Sequence, residues 1–280
     1  MTNAKQPAIQ VQNLWMSFPG KQAGEQIHVL ERINLEVKAG EFVCIVGPSG
    51  CGKSTLLNIV GGFLPCSQGD VTVEGQPVAG PDPRRVFVFQ ENGVFPWLTV
   101  QENIGFGLLK KSVAERAGIV AHYIEMVGLH GFERAYPREL SGGMKQRVEI
   151  ARALAANPDI IYMDEPFGAL DFITRLKMRA DLVRIWQSEK KTILFVTHDI
   201  EEAVQVADRV LVMSKRPATI QNIINVDLPR PRDLDSRGYL ATRDEIFAAM
   251  GMSLRIGESE AEAARPNGAH APKPQGLIPN

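Results

Sequence analysis

One run of small and polar residues marks the centre of this chain: Gly47-Pro48-Ser49-Gly50-Cys51-Gly52-Lys53-Ser54-Thr55. It follows the apolar run 41–46 and leads into the apolar segment 56–60. This order predicts a strand, a tight glycine loop and a helix. Glycines let the backbone aim its N–H groups inward, and the helix N-terminus adds positive charge at the same point. The run therefore predicts a phosphate-binding loop in which Lys53 reaches phosphates and Ser54 reaches Mg²⁺; the alternative is an ordinary glycine turn.

The composition describes an ordinary globular protein. The chain has 280 residues, of which 44% are hydrophobic and 22% charged, enough for one large core with room for an inserted lobe. A net charge of −1 creates no long-range basic field, so nucleic acid is not an expected partner. Three cysteines without metal-ligand spacing suit a reducing, cytosolic compartment, and Cys44 is expected in the core. The sequence shows neither a signal peptide nor a long apolar window, so a membrane role would require a partner.

Strand patterns lie on both sides of the phosphate loop. Residues 9–14 and 28–37 alternate between apolar and polar, which predicts two antiparallel strands ahead of it. Phe18 lies just before the turn 19–24, where its ring could stack on an adenine or pack on the core. Residues 71–78 read as a short hairpin, and 85–90 as a compact strand that ends in Gln90.

The pattern becomes helical between residues 91 and 158. Segments 99–109 and 112–127 have helical periodicity, and the second places an apolar set on one side, namely Val120, Tyr123, Ile124 and Val127. Strand patterns resume only at 159. We therefore expect a helical lobe inserted into an α/β core.

A second glycine-containing helix start lies inside this lobe. Ser141 is a natural N-cap, and Gly142 and Gly143 leave the first turn without side chains. Glycine weakens a helix relative to alanine, so its presence suggests that something approaches the backbone closely. The segment is either a simple cap or a second anion site.

Two later strands end in polar residues. The apolar run 159–163 ends in Asp164 and Glu165, whose side chains can diverge because strand residues alternate sides. One carboxylate could hold Mg²⁺ while the other takes a proton from water; the alternative is a solvated acidic strand end. The run 192–196 leads to His198, which could contact a γ-phosphate or be merely structural.

With these pieces in order, residues 8–250 resemble the ATP-binding subunit of an ABC transporter, and Leu140-Ser141-Gly142-Gly143 is specific to that family. The resemblance implies a phosphate-loop NTPase core of the RecA-like α/β class, with an antiparallel β-subdomain and an inserted helical lobe. It implies ATP and Mg²⁺ as cofactors. It also implies a role for each matching residue: Phe18 stacks on adenine, Gln90 is the lid glutamine near Mg²⁺ and the lytic water, Asp164 associates with Mg²⁺, Glu165 is the catalytic base, Asp171 contacts the dimer partner and His198 contacts the γ-phosphate.

The same resemblance implies partners. Two copies would sandwich two ATP molecules, each between the phosphate loop of one copy and Ser141-Gly142-Gly143 of the other. The segments 89–104, 164–171 and 228–232 are similar to the nitrate, sulfonate and taurine importer branch. That branch implies membrane permease subunits, a solute-binding protein and a peripheral location on the cytoplasmic face of the inner membrane. The alternative is a soluble ABC ATPase that remodels nucleic-acid or ribosomal complexes.

Three further expectations concern the domain bounds, two aromatic residues of the lobe and one cysteine of the loop. Residues 1–257 should form one ATPase domain, with its core at about 8–90 and 159–250 and its lobe at 91–158, followed by a disordered proline-rich tail at 258–280. Phe95 and Trp97 either line a groove for a helix of a membrane subunit or belong to the core of the lobe. Cys51, beside a helix N-terminus and Lys53, should have a depressed pKa and react readily.

Overall fold

A computed structural model describes residues 6–252 except 23, 91, 92 and 169, so the tail at 258–280 and Glu91-Asn92 of the lid segment lie outside the described residues. Its strands are β1 Ile9–Pro19, β2 Gln26–Val37, β3 Phe42–Val46, β4 Gln68–Val73, β5 Gln76–Pro77, β6 Arg85–Val88, β7 Ile160–Asp164, β8 Thr192–Val196, β9 Arg209–Met213 and β10 Ile220–Asn225. Its helices are α1 Lys53–Gly61, α2 Val100–Gly105, α3 Val113–Met126, α4 Gly142–Ala155, α5 Phe172–Glu189, α6 Ile200–Val206 and α7 Arg237–Ala249.

The strands form two sheets. The larger has six strands in the order β10-β9-β3-β8-β7-β6, and all its pairings are parallel except that of β10 with β9. The smaller has four antiparallel strands in the order β2-β1-β4-β5. Parallel neighbours need crossover connections rather than tight turns, and in this sheet helices lie between the successive parallel strands of the chain. The predicted α/β core with an antiparallel β-subdomain is confirmed.

The strands of the larger sheet are buried on both faces. In β3, Phe42, Cys44 and Val46 belong to one apolar cluster, and Val43 and Ile45 belong to the other. This period of two follows from the pleat, and burial on both sides explains why the strand is apolar throughout. Cys44 is a core residue, as predicted, and burial raises the pKa of its thiol.

The lobe begins where β6 ends. The strand ends at Val88, so Phe89 and Gln90 lie beyond it rather than within it, and no strand follows among the described residues until Ile160. Two helices of the lobe begin at capping boxes: Thr99 pairs with Glu102, and Ser112 pairs with Glu115. The apolar set predicted for one side of α3 is buried, namely Val120, Tyr123, Ile124 and Val127. The inserted helical lobe is confirmed. No helix of the described part of the chain has the length and apolarity needed to cross a membrane.

Candidate functional site

The phosphate-loop motif folds as a strand, a glycine turn and a helix. β3 ends at Val46 and α1 begins at Lys53, so residues 47–52 form the turn between them. Gly52 has φ 122°, and a β-carbon there would lie 2.8 Å from Val29 Cγ1. Both the left-handed backbone and the close packing against β2 exclude a side chain at this position. The last glycine before Lys53 is therefore required by the fold as well as by any ligand.

Lys53 lies at the first position of α1 and is buried. Its Nζ donates to the carbonyl oxygens of Gly47 and Pro48, at 3.0 Å each. These bonds compensate the burial of the ammonium group and hold it inside the curve of the loop. The cation thus lies in the same turn whose glycines shape the backbone.

Ser54 and Asp164 meet although 110 positions separate them. The Ser54 Oγ donates to Asp164 Oδ1 at 3.0 Å. Burial raises the pKa of Asp164, and this effect exceeds the opposing ones of the Ser54 hydrogen bond and the Lys53 charge. A partly buried carboxylate beside a hydroxyl is the oxygen donor set that Mg²⁺ prefers, and a cation would offset the cost of desolvating the charge. The residues therefore fit a magnesium ion.

Glu165 lies just beyond the end of β7, in a left-handed backbone conformation. β7 ends at Asp164, and Glu165 has φ 44°, so the alternation of side chains along the strand does not extend to Glu165. The Glu165 N–H donates to the Val196 carbonyl at 2.9 Å, which fixes the turn against the end of β8. Backbone strain held in this way is common at functional sites.

Glu165 and His198 are in contact. The distance from His198 Nδ1 to Glu165 Oε2 is 2.9 Å, and their side chains are 58% and 20% exposed, respectively. The two come from the ends of neighbouring parallel strands, where ligands bind in α/β sheets. Gln90 lies at the same place: a β-carbon added to Gly168 would be 3.9 Å from Gln90 Nε2 and 4.0 Å from Glu165 Oε2.

A cavity of about 890 Å³ joins Glu165 and His198 to the loop, and Gln90 does not line it. Its lining includes Gly47, Ser49, Glu165 and His198. It also includes residues at and after the end of α7, namely Phe247, Met250, Gly251 and Met252. No local sequence pattern associates α7 with the site, because such a pattern does not show where a C-terminal helix will pack.

Phe18 does not line this cavity. It lies on β1 opposite Ile27, partly buried, and packs against the core cluster that contains α1. The structure therefore shows the core contact of this ring, while its stacking on adenine stays a prediction.

The two glycines at the start of α4, Gly142 and Gly143, have different surroundings. Ser141 caps α4 by accepting from the Met144 N–H at 3.3 Å. A β-carbon at Gly143 would lie 2.6 Å from Thr174 Cγ2, so close packing against α5 explains that glycine. Gly142 is exposed, and its nearest such neighbour is Leu170 Cδ2 at 3.6 Å. Only Gly142 and the exposed Ser141 thus present an open backbone, and neither lines the cavity beside Glu165.

Asp171 caps the next helix, α5, by accepting from the Thr174 N–H at 3.0 Å. Hydrogen bonds from the Thr174 side chain and backbone lower the pKa of Asp171. The carboxylate is exposed at the surface. It is therefore charged and accessible to a partner, next to the turn that carries Leu170.

The prediction of a reactive Cys51 is wrong. Its side chain is buried, and its Sγ would lie 3.2 Å from a β-carbon at Gly47. Burial raises the pKa of the thiol, and the Lys53 charge, which acts to lower it, does not compensate. Desolvation outweighs the neighbouring cation because the thiol is almost fully buried.

Comparison with known proteins identifies relatives of this chain. Residues 30–168 match the ABC transporter family. An uncharacterized ABC transporter ATP-binding protein of Methanocaldococcus jannaschii is 48% identical over 241 residues, which cover 85% of this chain and 90% of the relative. The aliphatic sulfonates import ATP-binding protein SsuB of Bacillus cereus is 44% identical over 229 residues, which cover 81% and 90%.

A solved structure is also similar. It is a dimeric, post-hydrolysis state of an ATP-binding cassette bound to ADP and Pi. The two chains are 35% identical and superpose with a TM-score of 0.67, over 78% of this chain and 98% of the cassette. The same architecture in that protein holds a nucleotide.

Proposed function

This chain belongs to the ABC transporter family, as an ATP-binding subunit with ATPase activity, and on that basis we propose that it powers an importer for a small anion. The proposed cargo is nitrate, an aliphatic sulfonate or taurine. The observation that carries the proposal is the Glu165–His198 contact at 2.9 Å beside the phosphate loop. An intact base and a polar strand-end residue are what hydrolysis at this place requires. The 44% identity to a sulfonate import protein supports the cargo class.

The proposed roles follow from the geometry. The N–H groups of the loop and the Lys53 ammonium bind the phosphates of ATP, since both converge on the turn 47–52. The residues that would hold Mg²⁺ are Ser54 and Asp164, with Gln90 nearby. When bound, this ion neutralises negative charge on the phosphate oxygens.

Glu165 is the proposed general base. Its Oε2 lies against the His198 ring, so His198 orients the carboxylate that takes a proton from the attacking water. His198 is more exposed than Glu165 and faces the cavity, where it can also donate to a γ-phosphate. Gln90 lies close enough to help position the water.

We propose that the complete site requires a second copy of the chain. Ser141 and Gly142 are exposed at the start of α4 and stand apart from the cavity beside Glu165. A helix N-terminus attracts phosphate, and across a dimer this one would reach the ATP of the partner. Asp171, charged and exposed, is the proposed contact between the copies. Binding energy from ATP would hold the copies together, and hydrolysis would release them.

The proposed membrane partner binds the helical lobe. A groove of about 600 Å³ lies between α2 and α3, and it is lined by Trp97, Phe106, Leu109, Val113 and Val120, among others. Trp97 is 69% exposed, whereas Phe95 is half-buried with the Arg152 guanidinium 4.8 Å from its ring centroid. The two aromatic residues thus differ: Phe95 packs within the lobe, and Trp97 forms the groove. An amphipathic helix of a permease fits an exposed apolar groove of this kind.

The remaining proposals concern location and organisation. Attachment through this groove would place the chain at the cytoplasmic face of the inner membrane as a peripheral subunit, with a solute-binding protein as an indirect partner. Residues 1–257 are the proposed ATPase domain. Nucleic acid is not a proposed partner.

The test is the ATPase activity of the purified full-length chain, alone and with its membrane subunit in lipid. We expect strong stimulation by that partner together with a solute-loaded binding protein, and the solutes that stimulate would identify the cargo. Activity that is indifferent to any membrane partner would contradict the importer and favour the soluble remodelling ATPase.

A Trp97→Ala variant tests the docking groove. We expect unchanged activity of the isolated chain and loss of the stimulation, because the ring is largely exposed and lies on the proposed docking surface, outside the cavity beside Glu165. Phe63→Ala is the matched control, since Phe63 is also an exposed aromatic residue, at 51%, but lies outside the groove. If the membrane subunit stimulates the Trp97 variant and the control equally, the permease does not bind in this groove.

A further inference from the structure

The turn that carries His198 is anchored through the next residue. The Asp199 carboxylate caps α6, with Oδ1 accepting from the Glu202 N–H at 3.1 Å, and the Asp199 N–H donates to Thr197 Oγ1 at 3.0 Å. His198 lies between Thr197 and Asp199. Fixing the Asp199 carboxylate therefore restrains the backbone from which the imidazole ring extends. Any group that holds Asp199 therefore influences the His198–Glu165 contact.

One arginine joins this turn to the turn that carries Asp171. The Arg175 Nη1 donates to Asp199 Oδ2 at 3.3 Å, and its Nη2 donates to the Leu170 carbonyl at 3.1 Å. Leu170 immediately precedes Asp171 in the chain. The planar guanidinium presents several donors in a fixed arrangement, so one side chain can hold two acceptors at a set separation.

The rest of the guanidinium supports this interpretation. The Arg175 Nε is buried and makes no hydrogen bond within the described structure. A buried donor without a partner costs free energy. The orientation of the Arg175 side chain is therefore not explained by pairing of its Nε. Its orientation is set by the two acceptors, one in each turn.

Arg179, one helical turn further along α5, provides a contrast. It donates to both Asp199 and Glu202, the latter from Nε at 3.2 Å, and its side chain is only 4% exposed. Both acceptors lie at the start of α6, and Arg179 makes no bond to the Leu170 turn. Arg179 therefore also holds the Asp199 carboxylate and fastens α6 to α5, whereas Arg175 in addition bonds the carbonyl of the Leu170 turn.

We propose that Arg175 is a positioning residue for ATP hydrolysis: it fixes the His198 turn relative to the Asp171 turn. This inference rests on the proposed function, in which Asp171 meets a second copy of the chain and His198 acts on ATP. Contact between the copies at Asp171 would then hold His198 against Glu165 through one guanidinium group that bonds both turns. Displacement of a catalytic group by about 1 Å can lower a rate by on the order of 100-fold, so such positioning has a measurable effect.

The ion pair alone would not have this effect. The Arg175 and Asp199 side chains are 26% and 24% exposed, and partly exposed ion pairs contribute little to stability. The bridge to the Leu170 carbonyl is the distinctive feature. A lysine could keep the charge beside Asp199, but its single ammonium group cannot reproduce the two-pronged geometry.

The experiment compares three variants of the full-length chain in steady-state hydrolysis of Mg-ATP, with the membrane subunit present. Arg175→Leu removes both bonds, Arg175→Lys keeps the charge, and Lys177→Leu changes an exposed cation on the same helix as a control. Thermal unfolding is measured for each chain. We expect kcat of Arg175→Leu to fall about tenfold or more with KM for ATP within about twofold, because positioning acts on the chemical step.

The lysine variant separates positioning from stability. We expect Arg175→Lys to unfold near the wild-type temperature and yet to show a kcat close to that of Arg175→Leu. If lysine restores kcat, the charge alone suffices and the bridge is not needed. If the leucine variant keeps kcat, or loses it in proportion to a rise in KM, the positioning role is wrong.

Failure of this inference is distinguishable from failure of the proposed function. If the membrane subunit does not stimulate the ATPase activity of the wild-type chain, the importer function itself is contradicted. A responsive wild-type chain with a fully active Arg175→Leu variant would contradict only the positioning role.

Discussion

At the scale of single residues, Asp164 illustrates the conflict between stability and function. Burial raises the pKa of its carboxyl from the ordinary value of 3.8, so the folded state binds this proton more tightly than the unfolded state. Its contribution to the free energy of unfolding therefore decreases as the pH rises from about 3.8 through the folded-state pKa. At neutral pH the ionised group disfavours folding, and a bound cation would offset this cost.

We predict that Asp164→Asn unfolds at the same temperature as the wild type or higher when Mg²⁺ is absent. The amide removes the buried charge and keeps an oxygen that can accept from Ser54. The same variant should lose Mg²⁺-dependent ATPase activity, because the proposed metal ligand is gone. Thermal unfolding and hydrolysis assays measure both effects. Asp70→Asn, a change of an exposed carboxylate on β4, should alter neither; a less stable Asp164→Asn chain would contradict the account.

The three cysteines provide a second test at this scale. Cys66 is partly exposed, whereas Cys51 and Cys44 are buried with raised thiol pKa values. We predict that iodoacetamide modifies Cys66 first, Cys51 more slowly and Cys44 only after unfolding, since the thiolate is the reactive form. Mass spectrometry of timed samples gives the order, with the denatured chain as control. Faster modification of Cys51 than of Cys66 would restore the original expectation of an activated thiol.

At the scale of secondary-structure elements, two serine caps have similar local chemistry and different surroundings. Ser112 takes part in a capping box at α3: its Oγ donates to Glu115 Oε2 at 2.6 Å. Ser141 caps α4 through a single bond to the Met144 N–H at 3.3 Å. Only Ser141 begins the helix that we propose to face the ATP of a partner.

We predict that Ser112→Ala lowers the free energy of unfolding by about 1 kcal/mol and leaves ATPase activity unchanged. Ser141→Ala should cost no more stability, because it loses a single bond, yet should lower ATPase activity about tenfold or more, because a donor to the phosphates of the partner is lost. Chemical denaturation and hydrolysis assays on the pair separate the two effects. Parallel losses of stability and activity in both variants would mean that Ser141 acts only as a cap.

At the scale of the whole molecule, the question is how two copies assemble. We predict that Glu165→Gln binds ATP, fails to hydrolyse it and elutes as a dimer in size-exclusion chromatography with ATP and Mg²⁺. The change removes the proton acceptor and leaves the phosphate-binding groups in place. The dimer should be absent with ADP, and Lys53→Ala in the same background should abolish it. A monomer with ATP and Mg²⁺ would contradict assembly around the nucleotide.

Much of this architecture is predictable from local patterns. The apolar run before Gly47, the glycines that follow and the period of two in β3 depend on residues only a few positions apart, and so do the serine caps of α3 and α4. Backbone sterics, helix-end hydrogen bonds and the strand pleat act over that same range. For this reason the fold class, the strand–turn–helix around Gly47 and the family agree with expectation.

The tertiary structure alone decided the rest. It determined that Cys51 is buried, that Gly143 packs closely against Thr174, that Glu165 has a left-handed backbone and that the end of α7 lines the cavity. It also joined Arg175 to Asp199, which lie 24 positions apart. Such contacts, and the desolvation that shifts a pKa, depend on which surfaces pack together. Packing brings distant segments together, so no local pattern in the sequence contains it.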